Sequence, residues 1–291
     1  MFGQFGAGFK KIRNNKNYSQ SLLTDDTISK ASISRFENGK QDLGIEKTNS
    51  LLEKMSSSMD ELLCEFNSQN SRADSIYVTV NQAYLATDSK QLKKLFEQQE
   101  HVYSERPSLQ TFLNKCLIAN FYADLTNDIL VTKNDLQRLY GLLLNYSDWT
   151  SAEIATFTNS SVLLTDYENF TIACELAKQI ETIQKTNYPN YIDCWAAILN
   201  AFLILIERNV LYAQQLRKII CEIVLPSNSI NVSLRRYFLI SLLDAKTSDT
   251  SSSSFQNDAK TIINLLRRIG NEAQADSYEI AYNDILSAES L

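Results

Sequence analysis

Ionisable and polar side chains exclude more chemistry in this 291-residue chain than they offer. The single histidine, His101, lies in the polar stretch EQQEHVYSER, and no nucleophile–base–acid triad can be built around it. Five cysteines, at 64, 116, 174, 194 and 221, show neither CxxC nor His/Cys ligand spacing, so no metal and no cofactor is expected. The GQFGAG stretch at 3–8 follows no strand and lacks the Gly-Lys-Ser/Thr ending of a phosphate loop. An enzyme is not indicated. What remains is the chemistry of binding. Residues 1–40 hold Lys10, Lys11, Arg13, Lys16, Lys30, Arg35 and Lys40 against Asp25, Asp26 and Glu37. With a net charge of −6 overall, residues 41–291 carry −10. A basic head on an acidic body suits a local phosphate-binding face.

The elements that must position these cations are short helices. Phe5, Phe9 and Ile12 recur at helical spacing and predict a first helix to Asn15, with Lys10, Lys11 and Arg13 facing away. Ser19 is expected to cap a second helix through Leu22 and Leu23. Ser29 is expected to cap a third, KASISRFE, stopped at Asn38-Gly39. GIEKTNSLLEKM and SMDELLCEF give a fourth and a fifth, the last with Ser58 and Glu61 at capping-box spacing. Two short helices joined by a tight turn, the second polar outside, form a helix-turn-helix.

On that reading Ile33 and Phe36 face the core. Lys30, Ala31, Ser32, Ser34 and Arg35 face out, small enough for the helix to enter a major groove, with Arg35 aimed at a guanine edge. Ser19 and Gln20 open the second helix, whose free amides and dipole would take a phosphate. Arg13, Lys16, Asn38 and Lys40 flank the site as further DNA contacts.

Behind the head, helical segments are predicted at 71–86, 89–105, 108–126, 133–146, 151–164, 166–185, 190–208, 211–224, 231–245, 255–269 and 272–288. A Ser-rich loop separates two of them at 247–254. Only seven glycines and three prolines punctuate the chain, too few for a turn-rich sheet protein. The fold class expected is all-α: a five-helix lambda-repressor-like helix-turn-helix domain at 1–67, then an α-solenoid of TPR-like helical pairs at 68–291. The longest apolar run, Trp195–Ile206, contains Asn200 and is too short to span a bilayer. No signal peptide is visible, no membrane partner is expected, and the scattered cysteines read as buried free thiols. A cytoplasmic protein is the expectation.

A solenoid's concave face is an extended groove, and an amide side chain can pair with both NH and CO of an extended peptide. Asn114, Asn120, Asn159 and Asn200 lie within apolar helices and are candidate clamps. Arg235, Arg236 and Tyr237 are candidates for a peptide carboxylate or acidic side chain, and Tyr84, Tyr122 and Phe202 for apolar pocket walls. Trp149 and Trp195 read as packing residues.

The stretch FKKIRNNKNYSQSLL, continuing through SKASISRFENGKQDLGIEKTNSLLEKMSSSMDELL, resembles the Rgg/GadR/MutR family of Gram-positive regulators, with an XRE-type helix-turn-helix. NYSDWTSAEIATFTNS and LRRIGNEAQADSYEIAYNDIL resemble parts of that family's C-terminal domain. The resemblance implies a homodimer on double-stranded promoter DNA, with RNA polymerase as a further partner and a short signalling peptide in the helical groove. It favours Asn159 and Asn200 among the amides. Some members carry Cys where this chain has Ile45, so no intersubunit disulfide is expected there. The competing reading is a helical interaction scaffold whose head docks protein; a steep loss of binding with salt separates DNA from it.

Overall fold

The computed structural model describes residues 3–69, 76–186, 188–248 and 253–287. Among them the regular structure is helical: fifteen α-helices, two 3-10 turns and one isolated bridge, Asp25 to Ile28. Two compact units emerge, Met1–Thr79 and Val80–Leu291, divided within α5 (Ile76–Leu85).

The first unit holds α1 (Gly3–Asn15), a 3-10 turn (Gln20–Leu23), α2 (Lys30–Glu37), α3 (Ile45–Lys54) and α4 (Met59–Gln69). Phe9, Ile12, Leu23, Ile28, Ile33, Phe36, Leu51, Leu52, Met55 and Leu62 form its core. The helix-former rank of these segments is modest, so burial of that apolar stripe is what holds them. Phe5 stacks on Phe66 with ring centres 4.2 Å apart, tying α1 to α4. Gly6 is obligatory for packing: a Cβ there would stand 1.9 Å from the Phe36 carbonyl oxygen, so α1 crosses the end of α2 backbone to backbone.

The second unit stacks α6 (Ser89–Glu105), α7 (Leu109–Thr126), α8 (Lys133–Leu144), α9 (Ser151–Thr158), α10 (Asp166–Thr186), α11 (Tyr188–Arg208), α12 (Val210–Glu222), α13 (Ile230–Thr247), α14 (Ser253–Arg268) and α15 (Glu272–Ser287). Successive helices pair, α6 with α7, α10 with α11, α13 with α14 and α14 with α15, as an α-solenoid of TPR-like pairs requires. Reciprocal capping boxes at Ser108/Thr111, Thr132/Asp135 and Thr150/Glu153 satisfy the first amides of α7, α8 and α9. Asn127, with φ 61°, ends α7 in the left-handed conformation. The Lys115 ammonium is buried between Glu100 and Asp135, 3.0 Å from each, and locks α6, α7 and α8 together.

α11 is the central strut, packed by α9, α10, α12 and α13, with Tyr191, Trp195 and Phe202 fully buried. The helix is longer than its apolar run, and Pro189–Arg208 is long and apolar enough by composition to cross a membrane. Its apolarity is taken up in packing: 61% of that window is buried inside the protein. Trp149 is 4% exposed and Trp195 0%, so both are core residues, as expected. Cys116, Cys174 and Cys194 are buried; Cys64 and Cys221 are exposed, contrary to the expectation for a wholly buried set. Residues 249–252 of the Ser-rich stretch and 71–75 of the expected first body helix lie outside the described residues.

Candidate DNA-reading face and ligand face

α2 begins where the sequence places it. Ser29 has extended backbone and its Oγ accepts from the Ser32 amide at 3.2 Å. The turn before it is held by Asp25, whose Oδ1 accepts from the amides of Thr27 (2.8 Å) and Ile28 (2.9 Å). Lys54 of α3 donates to Asp25 Oδ2 at 2.5 Å and to the Leu23 carbonyl at 3.0 Å. That ammonium, followed by Thr27, holds the Asp25 carboxyl well below the usual carboxylate range. At the far end Gly39, φ 66°, turns the chain so that its amide reaches the Phe36 carbonyl (2.9 Å) and Lys40 that of Arg35 (2.8 Å).

One side of α2, Ile33, Phe36 and Glu37, is buried. The other presents Lys30, Ala31 and Arg35 to solvent, with Ser32 and Ser34 half-buried beside them and Asn38 and Lys40 exposed at the exit. Arg35 lies back along its helix, Nε donating to the Ala31 carbonyl at 3.3 Å, and Asn38 Nδ2 donates to the Ser34 carbonyl at 2.8 Å. These residues form one outward set.

Three expected contacts are placed elsewhere. Arg13 is 8% exposed and faces inward. Its Nε and Nη2 donate to Glu37 Oε1 (2.5 Å) and Oε2 (2.9 Å), and its Nη1 to the Tyr18 carbonyl (2.6 Å). The geometry is a bidentate clamp between α1 and α2, not a phosphate contact. Gln20 adds a third bond to the same carboxylate, Nε2 to Oε2 at 2.7 Å. Lys16 donates to the Ser56 carbonyl at 3.0 Å and sits 3.4 Å from Glu61. Ser19 is exposed but makes no side-chain cap, and the helix it opens is a four-residue 3-10 turn. A dipole argument for phosphate binding there fails for want of length. Sequence reasoning missed Glu37 and Gly6. Phe5, Phe9 and Arg13 share one helical face at i, i+4, i+8 spacing, which signals that Arg13 needs a buried acid.

On the second unit the expected ligand residues disperse. Asn120 is 7% exposed and its Oδ1 accepts from the Val162 amide at 2.9 Å, holding the 3-10 turn Ser161–Leu163. Asn114 accepts from Gln110 at 2.9 Å on its own helix. Phe202 is fully buried in the core and walls no pocket. Arg236 Nη1 donates to the carbonyls of Ile220 (2.8 Å) and Ile223 (2.9 Å) at the end of α12, with its guanidinium 5.7 Å over Trp195. Tyr237 turns to α14, its hydroxyl donating to Asp258 Oδ2 at 3.0 Å. Tyr84 bonds Asp124 and meets Phe121 edge-on; burial, then that carboxylate, raises its phenol pKa. Tyr122 and Asn159, the C-cap of α9, stay half-buried. One expected pair does meet: Arg235 Nη2 donates to Asn200 Oδ1 at 2.5 Å.

The chain is thus all-α, with a helix-turn-helix head and a body of stacked helical pairs. Residues 92–280 match the model of the C-terminal domain of the HTH-type transcriptional regulator Rgg, and the chain belongs to that family. Among solved structures it is similar to the SHP pheromone receptor Rgg2 of Streptococcus dysgalactiae, at 19% identity over 96% of this chain and 98% of that one, TM-score 0.74. A protein from Listeria monocytogenes EGD-e matches at 18% identity over 100% of both chains, TM-score 0.72. The PrgX/iCF10 complex matches at 20% identity over 100% of this chain and 98% of PrgX, TM-score 0.68.

Proposed function

We propose that this protein is a cytoplasmic, homodimeric regulator that reads double-stranded promoter DNA with the outer face of α2 and is controlled by a short peptide held on its helical body. It is not an enzyme on this reading. The observation that carries it is the two-sidedness of α2: Ile33, Phe36 and Glu37 are anchored inside while Lys30, Arg35 and Lys40 face solvent. A helix so oriented can enter a major groove, where Arg35 meets a guanine edge and Lys30 and Lys40 meet phosphates. Two heads related by a dyad would match half-sites about one helical turn, or a multiple of it, apart. Similar solved structures named as an SHP pheromone receptor and as a bacterial peptide pheromone/receptor complex support a peptide as the signal. That peptide acts only through unequal affinity for two states of the dimer.

The test uses duplexes enriched from a random-sequence pool by the full-length protein. Arg35→Ala is expected to weaken binding by about 10- to 100-fold, the worth of one base contact, with unchanged helicity. Lys40→Ala should reduce the slope of affinity against salt by about one unit. Undiminished binding by Arg35→Ala would refute the assignment.

A further inference from the structure

The arginines that this fold encloses have partners that account for their charge. Arg13 meets Glu37, Arg217 meets Asp244, and Arg267 meets Glu279 and Asp276. Arg236 serves two carbonyls at the end of α12, where a cation suits the helix dipole. Arg235 differs. It is half-buried, and its hydrogen bond goes to a neutral acceptor, the Asn200 amide oxygen. Among the described residues no carboxylate pairs with it. Burial lowers its pKa below the ordinary guanidinium value; the nearby Tyr278 hydroxyl acts the other way. A desolvated cation without a counter-charge is unfavourable, and the fold maintains one here. Asn200 holds one terminal nitrogen and so orients the fork, and the residue as a whole keeps part of its surface in solvent.

We propose that Arg235, oriented by Asn200, is the docking point for a carboxylate of the bound peptide, either its free C-terminus or an Asp or Glu side chain. The inference rests on the peptide-control reading and gives the ligand its chemistry. Arg236 and Tyr237, one and two residues on, take no part, because each helical residue turns about 100° from the last. A guanidinium fork matches a carboxylate with two parallel hydrogen bonds, and the missing counter-charge arrives with the ligand.

The experiment uses the full-length protein and synthetic random octapeptide pools. One pool has free C-termini and one C-terminal amides, and each is made with and without Asp and Glu. Retained peptides are identified by mass spectrometry, resynthesised singly, and measured as acid, amide and Asn/Gln forms. The wild type is expected to prefer the form that carries the carboxylate by about 10- to 100-fold, the usual worth of a charge-assisted pair. The acid-against-amide arm identifies the C-terminus as the source, and the Asp/Glu-against-Asn/Gln arm a side chain. Arg235→Gln should bind both forms alike, with a melting temperature at or above that of the wild type, since it deletes an uncompensated charge. Arg235→Lys should keep the preference in reduced form. Peptides retained with no carboxylate preference would overturn this proposal and leave peptide control standing, as would a preference that survives in Arg235→Gln. Retention of no peptide from any pool would overturn both.

Discussion

Gly6 and Gly141 make a matched pair with opposite expected signs. Both lie inside helices, α1 and α8, where Gly→Ala on propensity alone gains about 1 kcal/mol. At Gly141 nothing lies within 4 Å of a new Cβ, so that gain should appear in full. At Gly6 the new Cβ falls 1.9 Å from the Phe36 carbonyl oxygen. That is roughly 1.4 Å inside ordinary carbon–oxygen contact. The Cβ is fixed by its own backbone and its partner is main chain, so no rotamer change relieves the clash and α1 must lift off α2. Overpacking of this kind costs typically about 1–3 kcal/mol or more, which exceeds the propensity gain. The net expectation is a loss of about 2 kcal/mol in the head, or a melting point lower by roughly 10 °C for a unit of that size. Trp149 and Trp195 both belong to the second unit, so tryptophan fluorescence follows that unit. Hydrogen exchange in α1 and α2 follows the head. Gly141→Ala should raise the fluorescence-detected midpoint by about 2–4 °C. Protection in α1 equal to wild type in Gly6→Ala would refute the packing argument.

Three further outcomes follow from single side chains. Glu37→Gln removes the charge that neutralises Arg13 and should cost the head about 3–5 kcal/mol, read by denaturant unfolding; a loss below about 1 kcal/mol would mean that the pair is not the lock described. Glu207, at the end of α11, has its carboxyl pKa raised by burial first and then by Asp124 and Asp284, against Arg208 and Lys246. A carboxyl raised in the fold destabilises when ionised, so Glu207→Gln should increase the melting temperature at neutral pH. That gain should vanish as pH falls through the folded-state pKa and below the ordinary carboxylate range; a gain independent of pH would contradict it. Cys64 and Cys221 should react with a disulfide reagent in the native protein. Cys116 and Cys194, pushed up to about 12, and Cys174, to about 11, should react only on unfolding, because burial disfavours their thiolates.

The helical layout was largely legible because it is carried by local patterns. α6 has the expected bounds, 89–105, and Ser29 and Gly39 frame α2 as their types require. The misses have physical causes. The second head helix closes after one 3-10 turn because Asp25, just past Leu23, is committed to the Thr27 and Ile28 amides and draws the chain into the next turn. α9 stops at Thr158 with Asn159 as its cap, well short of the apolar pattern's end at Leu164. Asn120 could not be read as a structural acceptor, since its donor lies 42 positions away. Arg13 could have been recognised as a buried residue: periodicity places it on the apolar stripe. Grouping Arg235, Arg236 and Tyr237 as one site ignored helical rotation, which sends them to α11, α12 and α14 respectively.

The direct seating of α1 on the last turn of α2 has a mechanical corollary. Side chains between two helices act as a cushion that can be recompressed; main chain against main chain leaves no such slack. α2 therefore cannot be retuned by small shifts of its support. On the function proposed above, a signal would change where the heads are presented, or whether they are, and would leave the base preference of each head as its own sequence wrote it.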